Sequence, residues 1–236
     1  QASPSLQTSL WTVDMNGTLY DGWCLDSNQA LSYQEFVGAF NAELYALTDP
    51  KLVEMNAEGH PNNNIVNLTS VAQLEWLVHH LEVDATTLED LGESQYCPTT
   101  VLGIMDKNIL KTTIGWREVQ RAIWEFVEPN QNYPSFACQG DATCHEIANA
   151  LVECAQEATA GKSDDDSYSV YCQDGEDSSG TVGIVILFRD ENGGLTFQEI
   201  LIEVTLKEIP GACRPEQTFL LDPSASGNTA WAIFDT

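Results

Sequence analysis

Two kinds of side chain in this sequence carry chemistry that needs an account: the cysteines and one glutamine. Gln120 lies in Gly115-Trp116-Arg117-Glu118-Val119-Gln120-Arg121-Ala122-Ile123-Trp124-Glu125-Phe126-Val127. Val119, Ala122, Ile123, Phe126 and Val127 recur at helical spacing and form one apolar stripe. Trp116, Gln120 and Trp124 stack one turn apart on an adjoining strip. An amide held between two indoles is a buried polar group, and without partners it costs roughly 1–3 kcal/mol. The chain has seven cysteines: Cys24, Cys97, Cys138, Cys144, Cys154, Cys172 and Cys213. None forms a C-x-x-C pair, and the histidines are not spaced with them as zinc ligands. Six of the cysteines can form three disulfides, with connectivity open, and one is left over.

A second stretch bears on the first. Gly22-Trp23-Cys24-Leu25-Asp26 upstream and Val119-Gln120-Arg121-Ala122-Ile123-Trp124 in the helix together resemble a secreted bacterial domain family with a GWC-V-D motif and a Q-x-A-I-W motif. That group is related to the thioester domains of Gram-positive surface adhesins. The specific part of the match is about a dozen residues, within a loose likeness over most of the chain. The resemblance implies that the Cys24 sulfur and the Gln120 side-chain carbonyl form an internal thioester. An amine on a neighbouring surface would then attack it. Val119 stands where the adhesins usually carry Thr or Ser. A Cys24 consumed in this way would account for the odd cysteine, leaving Cys97, Cys138, Cys144, Cys154, Cys172 and Cys213 for disulfides. Amides are poor electrophiles, so the reaction needs rigid juxtaposition in a dry site. Trp23, Trp116 and Trp124 are the residues expected to wall that pocket.

Other chemistry finds little footing. Acidic pairs are plentiful, but composition alone supplies them, so no glycosidase dyad stands out. There is no G-x-S-x-G elbow, phosphate loop or dinucleotide fingerprint. His145-Glu146 lacks the second His of a zinc protease. The expectation is therefore a protein that is not an enzyme. Nine Lys and Arg against 36 Asp and Glu give a formal charge of −27 over 236 residues. That balance argues against a nucleic-acid backbone or an anionic membrane as partner. Asp14, Asn16 and Asp21, or Asp164-Asp165-Asp166, offer oxygens to calcium but lack full calcium-loop spacing. No metal site or cofactor is expected.

The elements that position these residues follow from periodicity. Asn16-Gly17 is a hairpin turn, with strands on either side ending at Trp23 and Cys24. Helical spacing marks Ser32 to Leu47, Ser70 to Leu81, and a helix from the Thr143–Glu146 capping box to about Ala158. Asp84 to Glu93 reads as loop or a short helical turn, and Thr99 to Lys111 is ambiguous between strand and loop. His79 and His80 close the second helix as C-terminal cations or solvated side chains rather than as metal ligands. Tyr168 to Cys172 alternates as a strand. Thr181 to Phe188 and Leu195 to Leu206 form a hairpin. Thr218 to Leu221 and Ala230 to Phe234 are short strands. The pattern is α+β: mainly an antiparallel β-sandwich or barrel, with three to four helices inserted over about 30–160, braced by disulfides.

An N-terminal arm, residues 1–13, precedes a single extracellular domain, 14–236. The chain begins Gln1-Ala2-Ser3-Pro4 without Met, as a processed secreted protein would. Asn16 and Asn67 head glycosylation sequons. Leu6, Leu10, Trp11 and Val13 give the arm apolar beats without a core of its own. Such a segment could complete the sheet of another copy, and that contact propagates head to tail into a filament. The leading expectation is thus an extracellular, pilus-like subunit whose partners are its own copies. The runner-up is an adhesin domain that attaches covalently through Cys24 and Gln120.

Overall fold

The structure, a computed structural model, describes residues 11–15, 18–25, 41–47, 70–129, 138, 140–161, 181–189, 200–205, 219–221 and 232–235. Seven strands form one sheet: β1 Trp11–Met15, β2 Thr18–Cys24, β3 Asn41–Ala46, β4 Thr181–Arg189, β5 Ile200–Thr205, β6 Phe219–Leu221 and β7 Ala232–Asp235. Their spatial order is β6-β3-β4-β5-β2-β1-β7, and every pairing is antiparallel. β1 and β2 pair from Trp11 opposite Gly22 to Met15 opposite Thr18, the hairpin expected around Asn16-Gly17, two residues outside the described set. β4 and β5 form the second expected hairpin.

Among the described residues, six helices lie between the third and fourth strands: α1 Val71–His80, α2 Leu88–Glu93, α3 Thr99–Leu102, α4 Lys107–Leu110, α5 Trp116–Val127 and α6 Ala142–Ala158. Helix α1 packs against β4 and β5, α5 packs against β2, and α6 packs on both α1 and α5.

This corrects the expected sandwich or barrel. Among the described residues there is one sheet, its ends β6 and β7 are not paired with each other, and helix outweighs strand. The Val-, Ile- and Leu-rich runs at 181–188 and 195–206 do supply strands β4 and β5, while Tyr168 to Cys172 lies outside the described residues, but such runs cannot say what buries a strand's faces. Here helices do so in place of a second sheet. A second correction concerns Ser32 to Leu47, expected as a helix. Asn41–Ala46 is strand β3, paired on one edge by β4 and on the other by β6. Ala42, Leu44 and Ala46 also alternate with period two, and two neighbouring ladders outweigh a weak helical preference. The ambiguous stretch Thr99 to Lys111 forms two short helices. Pro98 opens α3, and the Asp106 carboxylate accepts the Asn108 N–H at 2.7 Å to open α4.

The core runs through the helices. Leu74, Leu77, Leu88, Leu91, Ile114, Ile123, Ile147 and Leu151 are fully buried, as is Trp124. Leu25 and Leu47 join them from the strand ends and Ile200 to Ile202 from β5. Helix α6 starts at Asp141, whose carboxylate accepts the Cys144 N–H at 3.1 Å, two residues before the expected Thr143 cap. The turn before it needs left-handed backbone at Cys138 (φ 65°) and Gly140 (φ 77°), which glycine adopts without a Cβ penalty. Helix α2 carries a reciprocal capping box: Thr87 Oγ accepts the Asp90 N–H at 3.1 Å, and Asp90 accepts the Thr87 N–H at 2.9 Å. Asp84 N–H donates to the Ile114 carbonyl at 2.8 Å, and Ile114 N–H to the Thr86 carbonyl at 2.9 Å, so the approach to α5 is pinned to the start of α2.

Two disulfides brace the helices. Cys97–Cys154 ties the loop before α3 to α6, and Cys138–Cys144 closes the turn that starts α6. Such bonds fit folding in an oxidising compartment outside the cytosol. Cys172 and Cys213, the other two disulfide candidates, lie outside the described residues. No helix among the described residues is long and apolar enough to cross a membrane.

Candidate functional site

Strand β2 brings Cys24 to the core from one side. Its final residues Trp23 and Cys24 are 4% and 1% exposed, and Leu25 beyond them is fully buried. Successive strand residues face opposite sides of a sheet, so burial of both Trp23 and Cys24 means that β2 is covered on both faces here. β5 flanks this segment, with Ile200 opposite Cys24 and Leu201 opposite Trp23. On the other edge, the described part of the β1 ladder reaches Trp11 opposite Gly22.

Helix α5 brings Gln120 from the other side. The apolar stripe expected from the sequence is the buried face: Val119, Ala122, Ile123, Phe126 and Val127 are all in the core. Gln120 is 0% exposed, a neutral amide with no access to water. Its partners are both on one residue 96 positions away. The Cys24 backbone N–H donates to Gln120 Oε1 at 2.9 Å, and Gln120 Nε2 donates to the Cys24 carbonyl oxygen at 2.8 Å. The amide orientation is thereby settled, because an N–H must face an acceptor. A strand residue presents its N–H and C=O to the same edge, so the amide takes the place of a neighbouring strand at Cys24. Buried polar groups left unpaired are costly, and this arrangement pairs both atoms of the amide.

The sequence reading placed Cys24 and Gln120 in one pocket, and the structure brings them into direct contact. Trp23 and Trp124 are buried in the same core cluster, and Trp116 packs against it partly exposed. Cys24 is in neither of the two disulfides. The arrangement can do one piece of chemistry. A thiol-bearing residue donates its own N–H to the carbonyl oxygen of an amide, in a site closed to water. That donor polarises the carbonyl and would stabilise negative charge on Oε1 during attack at Cδ.

The other expected residues fall elsewhere. Trp11 and Val13, expected to be given to another copy, belong to β1, which this chain's own β2 and β7 pair on both edges. Leu6 and Leu10 lie outside the described residues, as do both sequon residues, Asn16 and Asn67. Of the first calcium candidates, Asp21 is an exposed residue of β2, Asp14 lies in β1 and Asn16 is outside the described set, as are Asp164 to Asp166. His79, expected as a helix-end cation, meets Glu203 of β5 at 2.9 Å and so links α1 to the sheet. His80 stacks on Tyr96 with ring centroids 4.1 Å apart.

A cluster that the sequence reading missed lies at the start of α5. A carboxylate oxygen of Glu118 and the sulfurs of Cys138 and Cys144 lie within 4.8 Å of one another. The sulfurs are joined as a disulfide and do not offer thiolates to a metal ion. Burial pushes the Glu118 carboxyl above the usual carboxylate range, opposed by hydrogen bonds from its own backbone and from Gly115. The available signal was the spacing of Glu118 three residues after the N-cap Gly115, the place of an acid that folds back on its own helix start. In comparison with protein-family models, curated proteins and solved structures, nothing matches this chain.

Proposed function

We propose that the chain is an extracellular attachment module in which Cys24 and Gln120 condense to an internal thioester. The reading is carried by the twofold hydrogen bond between the Gln120 amide and the Cys24 backbone. In the condensation the Cys24 sulfur attacks Gln120 Cδ, the S–C bond forms and the C–N bond breaks. The thiol proton leaves with the amide nitrogen as ammonia. The fold contributes what such a reaction lacks in water. It replaces an encounter between two groups with a held one, which in favourable cases is worth roughly 7–11 kcal/mol of barrier. It also aims the Cys24 N–H at the oxygen where charge develops. Burial of both residues protects the activated acyl group from hydrolysis. A primary amine on a neighbouring surface would be the acceptor. Its nitrogen bonds to Cδ, the C–S bond breaks, and an amine proton returns to the Cys24 sulfur.

The test is the intact mass of the disulfide-bonded chain, with alkylation after unfolding. A condensed chain is lighter by one ammonia than the oxidised sequence, and Cys24 takes up no iodoacetamide. Gln120→Ala and Cys24→Ala each restore the full mass, less only the substitution itself. A wild-type chain of full mass with an alkylatable Cys24 ends the reading. A fibre built by donation of residues 6–13 draws no support from the sheet, since β1 is already committed on both edges within the chain.

A further inference from the structure

We infer that the Gln120 amide is a latch between α5 and β2 that closes only while its nitrogen carries no substituent. Covalent coupling at Gln120 therefore keeps this contact from forming again. The inference rests on the attachment reading for its use, but its physical basis is the geometry of two hydrogen bonds.

Gln120 meets the N–H and the C=O of a single residue. To do so, its nitrogen must donate through the hydrogen lying on the same side of the C–N bond as Oε1. The other hydrogen points away from the carbonyl direction and cannot reach the same strand edge. When an amine replaces the thioester sulfur, the product is a secondary amide. Secondary amides strongly prefer the form in which the nitrogen substituent lies on the side of the oxygen and the hydrogen lies opposite. The new substituent then occupies the position of the bonding hydrogen. Nε2 is 2.8 Å from the Cys24 oxygen, so the first carbon of any substituent would sit roughly 1.5 Å from that oxygen, under half a normal contact.

Nothing nearby relieves this. Gln120 is 0% exposed and Cys24 1%, so no open space receives the added group. Interiors pack at crystal-like density and do not absorb even a methyl group without displacement. Rotating the amide about its last bond turns a substituted nitrogen toward the Cys24 N–H and removes the acceptor that this donor uses. The adduct is thus excluded from the closed arrangement in either orientation. The amide formed by coupling therefore cannot take the place between α5 and β2 that the unsubstituted amide fills.

The test installs the product without the reaction. A full-length chain carrying N-methylglutamine at position 120 is compared with the native chain and with Gln120→Glu by hydrogen exchange. The peptides covering residues 18–25 and 116–127 report the latch, and the peptide over the capping box at 87–94 serves as reference. The expected result is exchange faster by about tenfold or more in the two latch peptides of the N-methyl chain, as loss of both paired bonds implies, with the reference unchanged. A Gln120→Glu chain that folds beside an N-methyl chain that does not also supports the latch, because bulk on the nitrogen is then what the closed site rejects. Native protection in the latch peptides of the N-methyl chain overturns the inference, as does failure of both variants to fold. None of these outcomes requires a thioester, so full mass in the preceding test sinks the attachment reading by itself.

Discussion

Replacing Gln120 by Leu tests the account of the site at its base. Leucine nearly matches glutamine in volume and removes both polar atoms. The helix stripe stays intact, and the change falls on the Cys24 N–H and C=O, which lose the partners at 2.9 and 2.8 Å. Both groups lie beside a residue only 1% exposed, so water does not readily take over. Each hydrogen bond lost in such a place is worth about 1 kcal/mol net, rising toward 3 where the remaining group is stranded. The expected loss of stability is roughly 2–4 kcal/mol, partly offset by the better transfer of leucine into an apolar core. For a chain of this size that lowers the melting temperature by about 5–15 °C. Urea titration monitored by tryptophan fluorescence measures it, because Trp23 and Trp124 are buried beside the site. Gln120→Glu refines the point. Its carboxylate can accept from the Cys24 N–H but has nothing to give the Cys24 carbonyl, whereas the protonated acid can. Its folded-state pKa is therefore raised, and its contribution is present at low pH and lost as pH rises through that value. A leucine variant as stable as the parent would refute the claim that the amide pairing holds β2 to α5.

Three further outcomes follow from other parts of the molecule. Burial disfavours the charge of Glu118 and raises its pKa above the ordinary 4.5, so the native state loses stability as pH rises through the folded pKa. Glu118→Gln should therefore gain on the parent from pH 4.5 upward, and equal pH dependence of the two urea midpoints would remove burial as the cause. Replacing both Cys97 and Cys154 by Ser opens a loop of 57 residues and should cost about 4 kcal/mol, against about 2 for Cys138 and Cys144, six residues apart. The reverse order in denaturant titrations would show that native contacts, and not chain entropy, set the effect. Thr87→Ala removes the acceptor for the Asp90 N–H and should cost about 1 kcal/mol, read as faster hydrogen exchange over residues 87–94 than in the parent.

Much of the secondary structure was legible because it rests on local periodicity. The stripe Val119, Ala122, Ile123, Phe126, Val127 and the run Val71, Leu74, Leu77, Val78 became buried helix faces as spaced. Of the Val-, Ile- and Leu-rich runs at 181–188 and 195–206, residues 181–189 and 200–205 became paired strands. Helix starts were less legible: Thr143 with Glu146 satisfied the rule, yet Asp141 supplies the cap, because the disulfide turn at Cys138 delivers the chain there two residues early. Asn41–Ala46 was misread because its apolar residues satisfy both periods, and only the ladders on either side decide between them.

The candidate site divides along the same line. That Gln120 lies on a strip among indoles, and that the cysteines are odd in number and cannot all pair within the chain, are properties of spacing and number that the chain carries unfolded. Which residue answers the amide is not such a property. Cys24 and Gln120 are 96 positions apart, and no local rule links them. Their meeting depends on α5 packing against β2, where the amide takes up the edge that Cys24 presents. The number of sheets was likewise beyond local pattern, because an apolar strand requires only that its faces be covered, and whether a second sheet or a layer of helices covers them is decided by the packing of the whole chain.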